Sequence, residues 1–325
     1  MFFPRGIAII YATAKEKAEE LLSKLKESGY TVSVFSYQDV EKAWKCYDAL
    51  IFVMALGGVV RTVCKYAKSK DVDPSVICVD DGFRFVIPVL SSHWGANDLA
   101  LEIAKLINAT PVITTASEIR GVTSVEELAR ILNCKILNVK AIVKVTSALL
   151  RGEKVCVSGI NEIPPQVMGG YTLGGEGDCK YKVIITDSPP PSLDDENTVY
   201  LKPLRFAVGV GSKKETDTGV IKEAILYALK LISADISRVA IIASVREKVK
   251  EVADEFKVPF RLVSWDEVNS FNDECLTPPS DKLKELGIRG VAEISALIAG
   301  RGRLILRKIS YKGEVTVAIA SYEGG

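Results

Sequence analysis

The residues best suited to chemistry fall between positions 57 and 115. His93 is the single histidine of the chain, and an imidazole exchanges protons near neutral pH. Asp80 and Asp81 are adjacent carboxylates that could orient His93 or activate water. Thr114, Thr115 and Asn97 could donate hydrogen bonds to a substrate or an oxyanion. Gly57 and Gly58 would let a ligand approach the backbone closely. No serine stands in a G-x-S-x-G elbow, and no cysteine pairs obviously with His93, so a covalent nucleophile is not indicated. The same residues also have a structural reading. Asp80-Asp81-Gly82 would then be a turn, Asn97 a helix cap and His93 a satisfied core residue.

These groups need a scaffold, and the surrounding pattern predicts one. Ala49–Ala55, Val76–Val79 and Pro111–Ile113 are β-rich apolar runs. They end in Leu56-Gly57-Gly58, Asp80-Asp81-Gly82 and Thr114-Thr115. Uninterrupted apolar runs with helices between them predict buried parallel strands. In an open α/β sheet the ligand crevice lies beyond the carboxyl ends of the strands. The three turns and His93 are therefore expected on one rim. His93 precedes Trp94-Gly95-Ala96-Asn97-Asp98, which opens a helix. The polar positions of that helix, Asp98, Glu102 and Lys105, form one narrow stripe, so it should be mostly buried. Its start offers unpaired N–H groups beside His93.

The flanking chain continues the alternation of strands and helices. Gly6–Ala12 and Thr31–Ser36 read as strands. Thr13–Glu16 reads as a capping box that opens a helix to Ser28. Ser124–Glu127 is a second capping box, and Val139–Leu150 a further helix. Lys154–Ser158, Lys182–Thr186 and Thr198–Lys202 are strand-like. Met168–Gly177 is glycine-rich without a Walker A ending, and reads as a mobile connection between strands. Ser188–Glu196, three prolines and an acidic run, is a linker. From Arg205 a second α/β unit begins. Its strands are Phe206–Val210, Val239–Ala243, Phe260–Val263, Leu304–Lys308 and Val315–Ala320. Its small-residue helix Val291–Ala299 carries Glu293. Gly209-x-Gly211 lacks the third glycine of a dinucleotide fingerprint.

The expected fold class is α/β. Two lobes with mainly parallel sheets, three-layer αβα-like, span residues 1–120 and 205–325, joined by a variable middle segment, 121–204. With 26% charged residues and a net charge of +1, nothing global attracts nucleic acid or an acidic membrane surface. Any pull on an anionic ligand must be local, with Arg61 and helix starts as candidates. Lys65, Arg84, Lys213, Lys214, Arg301, Arg303, Arg307 and Lys308 are candidates as well, although most of these basic residues read as solvated surface charges. The seven cysteines are odd in number and lack C-x-x-C spacing. They read as buried small hydrophobes in a reducing cytoplasm. With one histidine, a structural zinc site is not expected.

Residues 55–117 resemble the amino-terminal domain of the cobalamin biosynthesis protein G family, the cobalt-precorrin-5A hydrolases. The resemblance is carried by Leu56-Gly57-Gly58-Val59-Val60-Arg61, Asp73-Pro74, Val79-Asp80-Asp81-Gly82-Phe83, Ser91-Ser92-His93-Trp94-Gly95-Ala96-Asn97 and Pro111–Ala116. The carboxyl-terminal region is similar to the same family through Val208–Gly211, Pro278-Pro279-Ser280, Gly287–Glu293 and Val317–Ala320. Departures are Ser92 in place of a glycine, a single Gly95 in place of a pair, and Ser212-Lys213 in place of cysteine–arginine. The resemblance implies a cobalt-containing tetrapyrrole substrate whose ring A δ-lactone is opened with loss of acetaldehyde. It implies His93, Asp80 and Asp81 as catalytic candidates. Gly57, Gly58, Arg61, Gly95, Asn97, Thr114, Thr115 and Glu293 are the binding candidates. Cobalt would belong to the substrate, so the protein itself needs no metal or cofactor. Contact with other enzymes of the pathway and a homodimer stay open. A carrier that binds or channels a tetrapyrrole without reacting is the alternative, as is a nucleotide- or flavin-binding oxidoreductase.

Overall fold

Runs with no exposed polar residue become the centre of the first sheet. The computed structural model describes residues 3–69, 72–91, 95–114, 121–175, 179–279 and 290–324. Its first lobe comprises β1 (Ile7–Tyr11), α1 (Lys15–Glu27), β2 (Val32–Ser36), α2 (Val40–Cys46), β3 (Ala49–Val53) and α3 (Leu56–Tyr66). It continues with β4 (Ser75–Val79), β5 (Phe85–Leu90), α4 (Ala96–Ile107) and β6 (Thr110–Pro111). Every residue of β3 and β4 is buried. The sheet order is β2-β1-β3-β4-β5-β6. One face packs Ile7, Ile9 and Ile51 against Leu21 and Leu25 of α1 and Leu99 and Ile103 of α4. The other packs Ala8, Ile10, Leu50 and Phe52 against Ala43 of α2 and Val59 of α3. Each such Leu or Ile contributes about 1.5–3 kcal/mol by leaving water. The expected three layers result.

Two local expectations fail here. The first four strands are parallel, but β5 runs antiparallel to β4, and β6 is parallel to β5. Only Asp80–Arg84 join β4 to β5, and a parallel return needs a crossover of roughly a dozen residues. The capping box at Thr13 does not form either. Lys15 N donates to Thr13 O, the helix starts after Ala14, and no side chain caps it. At Ser124 the extended backbone allows the box: Ser124 Oγ accepts from Glu127 N, and Glu127 accepts from Ser124 N.

By internal contacts the chain forms two compact units. One holds residues 116–205 with 229–238, and the other holds both flanking lobes. The middle unit is built from α5 (Val125–Ile131), β7 (Cys134–Ile136), α6 (Lys140–Leu150), β8 (Val155–Ser158), β9 (Tyr171–Leu173), β10 (Tyr181–Ile185) and β11 (Thr198–Pro203). Its sheet order is β7-β11-β10-β8-β9, with β7 alone antiparallel. The glycine-rich stretch is thus more than a connection, since it contains β9 paired to β8. The Asn138 side chain links Thr198 O and Tyr200 N of β11.

The last lobe comprises β12 (Phe206–Ser212), α7 (Thr218–Leu231), β13 (Val239–Ser244), α8 (Val249–Glu255), β14 (Phe260–Leu262), α9 (Trp265–Ser270), α10 (Val291–Gly300), β15 (Arg301–Tyr311) and β16 (Val315–Tyr322). The order is β14-β13-β12-β16-β15. β12, β13 and β14 are parallel, and the β15–β16 hairpin is antiparallel. Gly209 of β12 has a packing role. A Cβ there would lie 1.9 Å from Ala292 O and 2.5 Å from Ala296 N of α10. This close helix–strand contact accounts for the glycine without a dinucleotide.

The cysteines correct the expectation of isolated thiols. Cys46 is bonded to Cys275, and Cys156 to Cys179. Cys64, Cys78 and Cys134 are free, and Cys64 is exposed. Pairing partners 229 residues apart cannot be read from spacing along the chain. Denatured protein kept from reductant should therefore titrate three thiols per chain, and reduced protein seven. A thiol-reactive chromophore measures both numbers. Seven thiols before reduction would show that neither bond forms.

Candidate active site

The reversal at β5 divides the candidate residues between two edges of the first sheet. Gly57 and Gly58 lie in the first turn of α3, after the carboxyl end of β3. Asp80 and Asp81 follow the carboxyl end of β4, the next strand. Arg61 is exposed on α3. Leu90, at the end of β5, pairs instead with Val76 near the amino end of β4. Ser91 is therefore at the opposite edge, where Ser75 Oγ donates to its carbonyl over 3.5 Å. The chain from β6 runs the same way, with Val112 N donating to Val86 O, and carries Thr114 towards that edge. Gly95 caps α4, and Asn97 is buried in its first turn. A strand of five residues separates the two groups by about 16 Å. The expectation of one shared rim is thus corrected. His93 and Thr115 lie outside the described residues, as do Ser280 and 287–289.

Asp80 is committed to structure. Its Oδ1 accepts from Arg84 N at 2.8 Å and from Phe85 N at 2.6 Å. Its Oδ2 accepts from Arg84 Nε at 2.9 Å. Burial alone would raise its pKa, but the hydrogen bonds from Phe85 and Arg84 outweigh it and hold the carboxyl below the usual carboxylate range. Such a group is a weak base, and its oxygens are occupied by the turn that reverses the chain. The turn reading is the one Asp80 satisfies. Asp81 is exposed in the same turn.

The far edge has different features. Ser91 adopts φ +59° and Gly95 φ +85°, so both borders of residues 92–94 are left-handed. A serine in that region costs about 1–3 kcal/mol, and such strain clusters at functional positions. The Ser91 Oγ is buried without a partner among the described residues. The start of α4 adds backbone donors and the positive end of its dipole.

This same edge meets the last lobe. Arg307, expected at the surface, is 0% exposed. Its Nε donates to Arg5 O at 2.7 Å, Nη2 to Cys46 O at 2.9 Å and Nη1 to Cys275 O at 2.8 Å. A fourth bond, 3.1 Å, runs from Nη1 to Thr277 Oγ1. Arg5 and Cys46 precede β1 and β3, at the amino-terminal edge shared with Ser91. Thr277 donates its N–H and hydroxyl to the two oxygens of Glu293, whose Oε1 also accepts from Lys308 N. Glu293 is 1% exposed, so it fastens the segment before 278 to α10 and β15. Its place is structural rather than on a binding surface. Thr277 and the burial of Arg307 were missed in the sequence. The available signal was the apolar company of Arg307 in Leu304-Ile305-Leu306. Among the described residues no group of three His, Cys, Asp or Glu could hold a metal ion.

Three family models match in order along the chain. They are Cobalamin synthesis G N-terminal at residues 38–118, CbiG-like, linker domain at 123–204 and Cobalamin synthesis G C-terminus at 206–320. The crystal structure of a cobalamin biosynthesis protein G homologue from Sulfolobus solfataricus is 43% identical and superposes with a TM-score of 0.81, covering 99% of this chain and 98% of the other. The chain belongs to the cobalamin biosynthesis protein G family. A relative from Methanocaldococcus jannaschii is 29% identical over 97% of this chain and 98% of its own. A cobalt-precorrin-5A hydrolase from Priestia megaterium is 26% identical over 96% of this chain and 87% of its own. Among the described residues, the family's amino-terminal signature positions divide between the two edges described above.

Asp80→Asn tests the turn assignment. A depressed folded pKa means the carboxylate stabilises the fold above its unfolded pKa, and the contribution is lost as pH falls through the folded value. The variant should lose about 1–2 kcal/mol near neutral pH. The difference from the parent should shrink as acid protonates the carboxylate. Thermal unfolding across that range measures it. Equal stability at neutral pH would free Asp80 for another role.

Proposed function

We propose that this family member is a cobalt-precorrin-5A hydrolase. The substrate is a cobalt-bearing tetrapyrrole with a δ-lactone on the ring A acetate. Water adds to the lactone carbonyl, the ring C–O bond opens, and a carbon–carbon cleavage then releases two carbons as acetaldehyde. The product is cobalt-precorrin-5B. One observation carries the reading: relatives bearing that activity name align over nearly the whole chain, in the order of its three family segments. The cobalt stays in the macrocycle as part of the substrate, and no resident cofactor is required.

For the chemistry we favour the edge at Ser91 and Gly95. His93, which lies between them in sequence, would move the proton. N–H groups at the start of α4, with Asn97, Thr114 and Thr115, would stabilise the oxyanion. The support is the pair of left-handed residues bordering 92–94 and the helix start beside them. Asp80 leaves the catalytic set because the turn consumes its oxygens. Asp81, Gly57, Gly58 and Arg61 share its edge and are remote from the lactone in this reading. The last lobe supplies complementary charge for the macrocycle's carboxylates, with Lys213 and Lys214 exposed after β12. Lys308 Nζ reaches Gly290, at the start of α10. No described helix is long and apolar enough to cross a membrane.

Incubation with cobalt-precorrin-5A should lower the tetrapyrrole mass by that of acetaldehyde less that of the water added, and yield acetaldehyde that a hydrazine traps. Bound but unchanged substrate would favour a carrier. His93→Ala should slow single-turnover release by at least about a hundredfold with binding near normal. Near-parental rates would make His93 structural.

A further inference from the structure

The Cys46–Cys275 bond joins the first lobe to the last at the buried Arg307, and nothing in lactone chemistry uses it. Cys46 ends α2 and is fully buried, whereas Cys275 is half-buried in the segment after α9. Their Cα atoms are 5.1 Å apart. Lys45 and Glu274, the preceding residues, form an exposed ion pair alongside. One guanidinium binds both cysteine carbonyls, Nη2 to Cys46 O and Nη1 to Cys275 O. The two backbones are therefore held together by hydrogen bonds independent of the sulfur link. That arrangement separates this pair from Cys156–Cys179, which closes a loop of 23 residues within the middle unit.

We propose that Cys46–Cys275 is a reversible redox latch between the first and last lobes, with Arg307 as the template that keeps the two thiols within bonding reach when reduced. The attacking thiolate of a dithiol reaches the more accessible sulfur, Cys275. It forms a mixed disulfide and expels Cys46 as a thiolate, which takes up a proton. The second thiol of the reductant then displaces Cys275, so two electrons and two protons pass to the protein and the dithiol leaves as a disulfide. Reduction removes the covalent tie of residues 271–279 to the first lobe and leaves the bonds of Arg307 and Thr277, the Lys45–Glu274 ion pair and the packing of Phe271 and Leu276 to hold them. That segment carries Thr277, and through it the anchor on Glu293. The reduced state should therefore open locally here before anywhere else in the last lobe. Oxidised glutathione reverses the step with the opposite balance.

The test compares full-length protein with and without dithiothreitol. Amide hydrogen exchange in 271–279 should speed up about tenfold or more on reduction. The melting temperature should fall by about 5–10 °C. Cys275→Ser should behave like reduced protein in both conditions, while Cys156→Ser keeps the response of this segment. Titration against glutathione reads the template. Arg307→Met should lower the effective concentration of the pair about tenfold, and Lys45→Met should change it less than about threefold. If Arg307→Met does not fold, Thr277→Val removes one acceptor of the guanidinium and should weaken the pair in the same direction. Equal exchange of 271–279 in both redox states would overturn the latch. Failure of Cys46 and Cys275 to bond at any glutathione ratio would overturn it equally. An unchanged glutathione titration in the Arg307 and Thr277 variants would overturn the template.

Discussion

A guanidinium removed from water must be given back what it loses, and that requirement organises the larger unit. Stripping a charge of solvent costs several kcal/mol unless its donors are met. Among the described residues Arg307 meets four acceptors, two from the first lobe and two from the last. The Tyr47 ring lies 4.0 Å beneath its carbon, adding a cation–π contact. Among the described residues no carboxylate bonds it directly. Glu293 is reached through Thr277, which accepts from Arg307 and donates to the acid. The positive charge is thus balanced at one remove, and the intervening hydroxyl fixes the segment that contains it. An arginine suits this place because its planar fork presents donors in several directions at once. A lysine would offer a point charge to carbonyls that lie around a plane.

The neighbourhood of that side chain depends on close packing in the last lobe. Gly209 and Gly300 let α10 settle on the sheet at distances that a methyl group would forbid. α10 carries Glu293, so the depth of the helix sets where the acid meets Thr277 and β15. Small residues on the helix and strand are the geometric precondition for the polar network, although they take no part in it.

The sequence makes some elements legible and hides others for identifiable reasons. β3 and β4 are plain because both faces of those strands are covered, which removes the polar alternation. The Ser124 box is plain because the serine, the glutamate and an extended backbone agree. The Thr13 box has the same pattern with threonine for serine, but the backbone at Ala14 is not extended. The direction of β5 depends on the length of its connection to β4, and once the strand is located that length permits only a reversal. Asp80 looked like acid–base chemistry because a carboxylate in a turn has the same letter whether or not its oxygens are taken. Arg307 looked like surface because burial of a cation depends on carbonyls far away in the chain. The letters put Ser91 and Asp80 into one set, and only the direction of β5 separates them.

The bond from Arg307 to the Cys46 carbonyl spans 261 residues, and this has a bearing on how the chain is made. A ribosome adds residues from the amino terminus at about 5–20 per second. Roughly 13–50 s therefore separate the appearance of Cys46 from that of the side chain that binds its carbonyl. During that interval the first sheet can form, since its strands are contiguous in sequence, but the edge at Arg5 and Cys46 keeps its carbonyls open to water or to a chaperone. The nascent first lobe is a vessel with one seam unsealed, and the seam closes only when β15 has emerged.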